Sequence, residues 1–149
     1  MKFKFIQDDS LPSGQIEVDV KSNELNRNVI DFLSKLEKLN DKDELIPVKI
    51  EDKIQLVNQT EIVAVEVNGN ILTYHLINEE LETKGNLKNI IESLNDNFVQ
   101  ISKYAVINIQ QLSSLEASFS GNMTAFMQNK LKITISRRYL GKLKEKVGL

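Results

Sequence analysis

Glu61-Ile62-Val63-Ala64-Val65-Glu66-Val67-Asn68-Gly69-Asn70-Ile71-Leu72-Thr73-Tyr74-His75-Leu76-Ile77 is the stretch that decides the fold. Residues 61–67 alternate, with Ile62, Val63, Val65 and Val67 apolar, which is the pattern of a half-buried strand. Asn68-Gly69 follows, the strongest short-range hairpin signal, because both residues tolerate positive φ. Residues 71–77 then return as a second strand. An isolated hairpin is marginal in water, so this one needs neighbours, and the sequence supplies them on both sides. Upstream, residues 45–50 and 53–57 read as strands joined at Glu51-Asp52, with Pro47 suited to an edge or a strand start. Downstream, residues 79–83, 104–107, 112–119, 123–127 and 131–135 read as further strands. Residues 120–122 and 128–130 are the turns between the last three.

Two helices interrupt this series. Residues 86–95 carry Leu87, Ile90, Ile91 and Leu94 at helical spacing. Residues 137–147 place Leu140, Leu143 and Val147 on one side and lysines on the other. The region 44–149 is therefore mainly β, and α+β overall. Residues 1–43 read as a separate small β-β-α region. Gln15-Ile16-Glu17-Val18-Asp19-Val20 alternates as a strand should, residues 2–7 form its partner, and residues 8–14 are turn chemistry. A helix over residues 23–39 follows, with Leu25, Val29, Phe32, Leu33, Leu36 and Leu39 in one stripe and Ser22 or Asn23 as its cap. Residues 40–44 read as a linker. Roughly 40 residues are few for independent stability. The apolar stripe is thus expected to pack on the next domain, to dimerise or to dock a partner.

Composition narrows the function. The chain has 149 residues, 41% hydrophobic and 27% charged, with one histidine and no cysteine. No apolar run reaches the length of a membrane span, and the start lacks the apolar stretch of a signal peptide, so a cytoplasmic protein is expected. Absence of cysteine removes disulfides, thiol catalysis and thiolate metal sites. The net charge of -2 is unevenly spread. Residues 1–100 hold 11 Lys and Arg against 19 Asp and Glu, a charge of -8, whereas residues 101–149 hold 8 against 2, a charge of +6. A polyanion responds to the local field, not to the total, so the basic end is a candidate anion surface or simply a solvated helix face.

Catalytic chemistry finds little footing. His75 lies mid-strand without a nucleophile or orienting partner in a recognisable motif, and reads as structural or solvent-facing. One histidine without cysteine is a poor zinc set, no calcium loop appears, and the glycines form neither a P-loop nor a dinucleotide fingerprint. The acidic pairs Asp8-Asp9, Asp43-Glu44 and Glu79-Glu80 read as solvated turns and linkers. No enzyme activity, metal or small-molecule cofactor is expected. What remains is a set of polar and basic residues at strand ends: Ser102-Lys103-Tyr104, and Ser136-Arg137-Arg138-Tyr139. Arginines at a helix start are unfavourable for the helix dipole. A phosphate or a guanine edge would compensate them, and so would a salt bridge to an upstream carboxylate.

Phe98-Val99-Gln100-Ile101-Ser102-Lys103-Tyr104-Ala105-Val106-Ile107-Asn108 and Ile133-Thr134-Ile135-Ser136-Arg137-Arg138-Tyr139-Leu140, with Gly85-Asn86-Leu87-Lys88 before them, resemble the LytTR family over residues 45–147. The resemblance implies an elongated set of β-sheets with one internal helix and a C-terminal helix. It implies binding of double-stranded promoter DNA through loops instead of a recognition helix. Lys103 and Arg137 would then be the main DNA contacts, Asn70 a third, and Arg138 and Ser102 phosphate contacts, with Tyr104 completing the set. Ser102 stands where the family usually has histidine, and Tyr104 where it has a small hydroxyl residue; both bear on the target sequence more than on the mode of binding. About 40 residues are too few for a receiver domain. The chain is therefore similar to short stand-alone members, which implies a homodimer on repeated sites and control by a membrane-protein partner. The competing expectation is a non-enzymatic β-rich interaction module, whose exposed strands or 23–39 stripe bind a peptide or another subunit.

Overall fold

The computed structural model describes residues 1–13, 15–38 and 44–149. Its contacts divide the chain into two compact units, Met1–Leu39 and Asn40–Leu149. In the first, α1 spans Arg27–Lys38. Asn26 is its cap, its side-chain oxygen accepting from the Val29 amide at 3.1 Å; the expected caps Ser22 and Asn23 lie a turn too early. Residues 8–11 form the expected turn, closed by the Asp8 carboxylate, which accepts from the Ser10 amide at 2.9 Å. Residues 2–7 and 15–20, expected as two strands, form none. Ile16 and Val18 alternate correctly yet stay 86% and 60% exposed. A two-stranded ribbon that buries no apolar face does not offset its ordering entropy. No residue of α1 is buried. Gly14, Leu39 of the stripe and most of the expected linker (40–43) lie outside the described residues.

The second unit holds, among the described residues, ten strands in three antiparallel sheets. β1 (Leu45–Ile50) pairs with β2 (Lys53–Asn58), turning at Glu51, which sits at a φ of 53°. β3 (Ile62–Asn68), β4 (Ile71–Leu76), β5 (Glu80–Lys84), β6 (Phe98–Ser102) and β7 (Ala105–Asn108) form a five-stranded sheet in the order β5-β4-β3-β7-β6. β8 (Leu112–Ala117), β9 (Met123–Met127) and β10 (Lys132–Ile135) form the third sheet. α2 (Leu87–Ser93) follows β5, and α3 (Arg137–Lys146) follows β10. The deciding hairpin is present, with one adjustment. Asn68 pairs with Ile71, so the two-residue turn is Gly69-Asn70, and Gly69 takes the positive φ of 61° while Asn70 does not. Glycine first is the type II′ pattern, whose twist matches the flanking strands.

The five-stranded sheet is buried on both faces. One face packs Val65, Leu72, Tyr74, Leu81 and Val106 against Ile46, Val48 and Val57 of the first hairpin and Leu87 and Leu94 around α2. The other packs Ala64, Val99, Ile101, Ala105 and Ile107 against Ala125 and Met127 of β9, Ile133 and Ile135 of β10, and Leu143 of α3. β3 is its central strand, and Ile62, Val63, Ala64 and Val65 are all fully buried. A strand covered on two sides reads as a continuous apolar run, not an alternating one. A bulge between Ile62 and Ala64 puts Val63 and Ala64 on the same face. Where polar groups enter this core they are satisfied. Asn108, 2% exposed, donates to the Ile62 carbonyl at 3.0 Å and accepts from the Gln110 amide at 3.0 Å. Among the described residues no helix is long and apolar enough to cross a membrane, and no group of three or more His, Asp or Glu is placed to hold a metal ion.

Candidate nucleic-acid interface

Antiparallel pairing sends several connections to one end of the sheet. The C-terminal ends of β3 and β6 and the N-terminal ends of β4 and β7 share that edge, because Glu66 pairs with Ala105, Ser102 with Ala105, and Asn68 with Ile71. Backbone hydrogen bonds tie the loops together there. The Val67 amide donates to the Tyr104 carbonyl at 2.8 Å, and the Gly85 amide to the Asn70 carbonyl at 2.9 Å. The Ser136 amide donates to the Ile101 carbonyl at 2.9 Å, bringing the start of α3 beside the end of β6. Burial of Leu143 at 0% exposure anchors α3 from below. Thus the sheet core fixes where the loop side chains begin.

The β6–β7 loop is locally rigid. The Ser102 hydroxyl accepts from the Tyr104 amide at 3.0 Å, and the Gln100 side chain donates to the Ser102 carbonyl at 3.0 Å. These bonds turn the chain so that Lys103 and Tyr104 project outward, with Tyr104 65% exposed. A shallow cavity of about 220 Å³ lies between this loop and α3, lined by Ser102, Lys103, Tyr104, Ser136, Arg138 and Tyr139. Four of the six residues inferred from sequence therefore meet in one place. Asn70 is exposed in the neighbouring turn and Arg137 is exposed on the adjoining side of α3; neither lines the cavity. Small-molecule pockets run to roughly 300–1,000 Å³, so this concavity suits an anion-sized group.

The electrostatics favour an anion. No carboxylate lines the cavity, while Lys103 and Arg138 do. α3 begins at Arg137 with no acidic residue in its first turn, and the side chain of its cap Ser136 makes no capping hydrogen bond. Two arginines therefore open a helix whose cap side chain accepts from none of its first amides, and the positive end of the helix dipole favours an incoming anion. The two basic residues of the last turn, Lys144 and Lys146, suit the helix instead. The sequence left open a salt bridge from Arg137 or Arg138 to an upstream acid; the lining of this concavity, which includes Arg138, holds no such acid.

His75 belongs to a different part of the sheet. It is 7% exposed, with Nε2 2.6 Å from Glu66 and Nδ1 3.0 Å from Glu80. The Glu66 hydrogen bond raises the histidine pKa despite burial, with Glu80 adding to it, and His75 in turn holds the Glu66 carboxyl below its ordinary value. Of the acidic pair Glu79-Glu80, expected in a solvated turn, Glu80 is instead a strand residue whose carboxylate, though 64% exposed, meets the imidazole. Sequence reasoning missed Gly121 altogether as a site residue. Arg137 lays its guanidinium against it: a Cβ added there would stand 2.6 Å from a guanidinium nitrogen. The Ser120-Gly121-Asn122 signal marked only a turn.

Comparison with known proteins agrees with this architecture. The LytTr DNA-binding domain profile matches residues 52–148, well over half the chain. The sensory transduction protein LytR of Staphylococcus saprophyticus is 27% identical over 106 residues, covering 70% of this chain and 42% of that protein. The transcriptional regulatory protein LytR of Staphylococcus aureus strain N315 is 27% identical over 108 residues, covering 72% of this chain and 44% of that protein. The chain thus spans less than half the length of these curated relatives. Among solved structures, a LytTr DNA-binding domain from Bacillus cereus superposes with a TM-score of 0.65 at 14% identity, covering 72% of this chain and 99% of that one. The three-sheet fold is shared, and the chain belongs to the LytTR family of DNA-binding domains.

Proposed function

We propose that this protein is a sequence-specific transcription regulator that contacts promoter DNA through the loops at one end of its five-stranded sheet. The observation that carries the reading is the concavity of Ser102, Lys103, Tyr104, Ser136, Arg138 and Tyr139, which is cationic and free of carboxylates. In this reading Lys103 and Arg138 neutralise phosphates, with Ser102 as a neutral phosphate donor. Arg137 and Asn70 reach base edges, and a guanidinium forks onto guanine O6 and N7. Tyr104 packs its exposed ring on the backbone sugar. Phosphate contacts supply affinity and register, and the few base contacts supply specificity. Repeated sites would be occupied by two copies, and residues 1–43 serve dimerisation or docking to a regulatory membrane protein through the stripe of α1.

Selection of bound duplexes from a random pool tests the reading. An enriched motif, bound with steep salt dependence, is the expected result. Failure to enrich any sequence, together with no retention on heparin at low salt, contradicts it. One observation favours a second reading, a β-rich protein-interaction module. Leu45, Ile54 and Leu56 are 50%, 66% and 64% exposed on the outer face of the β1–β2 hairpin, which is more apolar surface than a solvated hairpin needs.

A further inference from the structure

The β8–β9 connection, residues 118–122, reaches the same end of the unit as the loops above. Ala117 pairs with Met123, and Met123 pairs with Ile135, one residue before the start of α3 at Ser136. The connection is closed on itself: both the amide and the hydroxyl of Ser118 donate to the Asn122 carbonyl at 2.9 Å. A short 3-10 turn, Phe119–Gly121, forms its crest. Gly121 has a φ of 77°, and the guanidinium of Arg137 lies where its Cβ would be, 2.6 Å from one nitrogen and 3.1 Å from the central carbon. The absence of a side chain at Gly121 is therefore what lets Arg137 rest on this loop.

Phe119 is 96% exposed on the same crest. The aromatic residues of the second unit are Tyr74, Phe98, Tyr104, Phe119, Phe126 and Tyr139. Only Tyr104 and Phe119 of these are exposed. Tyr104 borders the cationic concavity, and Phe119 lies two residues before the glycine on which Arg137 rests. The two exposed aromatic rings thus stand at the same end of the unit as these basic residues. The crest itself offers DNA no charge, so what it can offer is apolar contact. An apolar ring beside a base-reading arginine meets the C5-methyl of thymine in the major groove.

Resting on the DNA-binding reading above, we propose that the β8–β9 loop is a further DNA-contacting element. Phe119 reads a thymine methyl, and Gly121 is a positioning residue that seats the guanidinium of Arg137 beside it. Both effects act on specificity. Neither residue neutralises a phosphate, so neither contributes to counterion release.

The test uses the full chain and a duplex enriched by the wild type from a random pool. Each thymine is replaced in turn by uracil, which removes the methyl and leaves the pairing edge intact. The wild type loses about fourfold in affinity at one thymine, the amount expected for one buried methyl group. Phe119→Ala binds the parent duplex several-fold more weakly, shows no loss at that thymine, and keeps the wild-type salt slope. Gly121→Ala loses discrimination at the base pair that Arg137→Ala also affects, and the double variant loses no more than Arg137→Ala alone. If Phe119→Ala responds to every uracil replacement as the wild type does, the inference is overturned while DNA binding stands. If the wild type enriches no duplex, the DNA-binding reading and this inference fall together.

Discussion

Raising the pH from 5.5 towards 9 destabilises this protein, and His75 is the cause. His75 is 7% exposed, the chain's single histidine, and its two ring nitrogens lie 2.6 Å from Glu66 and 3.0 Å from Glu80. Both carboxylates only accept, so both nitrogens must donate, which selects the imidazolium. The folded-state pKa is accordingly raised above 6.5. The stabilisation is fully present below the unfolded value and is lost as pH rises through the raised folded value. Glu66 has the opposite sign. Its pKa is lowered from 4.5, so its share is present above 4.5 and is lost as pH falls through the lowered value. Stability therefore peaks between about 4.5 and 6.5, where both partners are charged in either state.

The size follows from burial. A hydrogen bond to a charged group contributes about 1.5–3 kcal/mol. The Glu66 and Glu80 side chains are 41% and 64% exposed, so solvent screens them towards the surface-pair range of roughly 0.2–1 kcal/mol. Burial of the imidazolium opposes both. About 1–2 kcal/mol remains for the cluster once these opposing effects are combined. Urea unfolding followed by circular dichroism across this pH range measures it. His75→Gln keeps a hydrogen-bonding side chain and should flatten the profile above pH 6. A wild-type profile flat from pH 5.5 to 9, or one unchanged in His75→Gln, refutes the reasoning.

Other substitutions probe the scaffold under the loops. Leu143→Ala empties a site at 0% exposure and should cost about 2–5 kcal/mol; because Leu143 anchors α3, chemical denaturation and DNA affinity should fall together. Asn108→Leu strands the Ile62 carbonyl and the Gln110 amide that the side chain satisfies, costing about 1–3 kcal/mol in the same unfolding assay. Arg137→Ala should weaken binding by about 1–3 kcal/mol and relax preference at one base pair, which a competition assay with substituted duplexes detects.

The parts of the fold visible in sequence are those that local chemistry dictates. Gly69 must supply a positive φ, Asn86 caps α2 by accepting from the Asn89 amide at 2.9 Å, and the helical spacing of Leu140 and Leu143 marks α3. The misreadings occur where tertiary burial decides. Ile16, Val18 and Val20 alternate as faithfully as any strand but find no sheet. β3 alternates like a half-buried strand, yet it is covered on both faces because it lies at the centre of the sheet order. At the site, the 98–108 and 133–140 motifs pointed to Lys103, Ser102, Tyr104 and Arg138. That these meet around one concavity follows from the Ser136–Ile101 hydrogen bond, which no local pattern announces. Phe119 looked like the end of a strand, since an apolar residue after 112–117 carries no sign of exposure.

The salt dependence of DNA binding tests the central claim most directly. Binding constants for the wild type, Lys103→Ala and Arg138→Ala on one selected duplex, measured by fluorescence anisotropy over a series of salt concentrations, give three slopes. Loss of a phosphate contact should lower affinity for all sequences alike and reduce the slope by about 1 in each variant. Variants that keep both the wild-type slope and the wild-type affinity would show that this cationic end does not touch the DNA backbone.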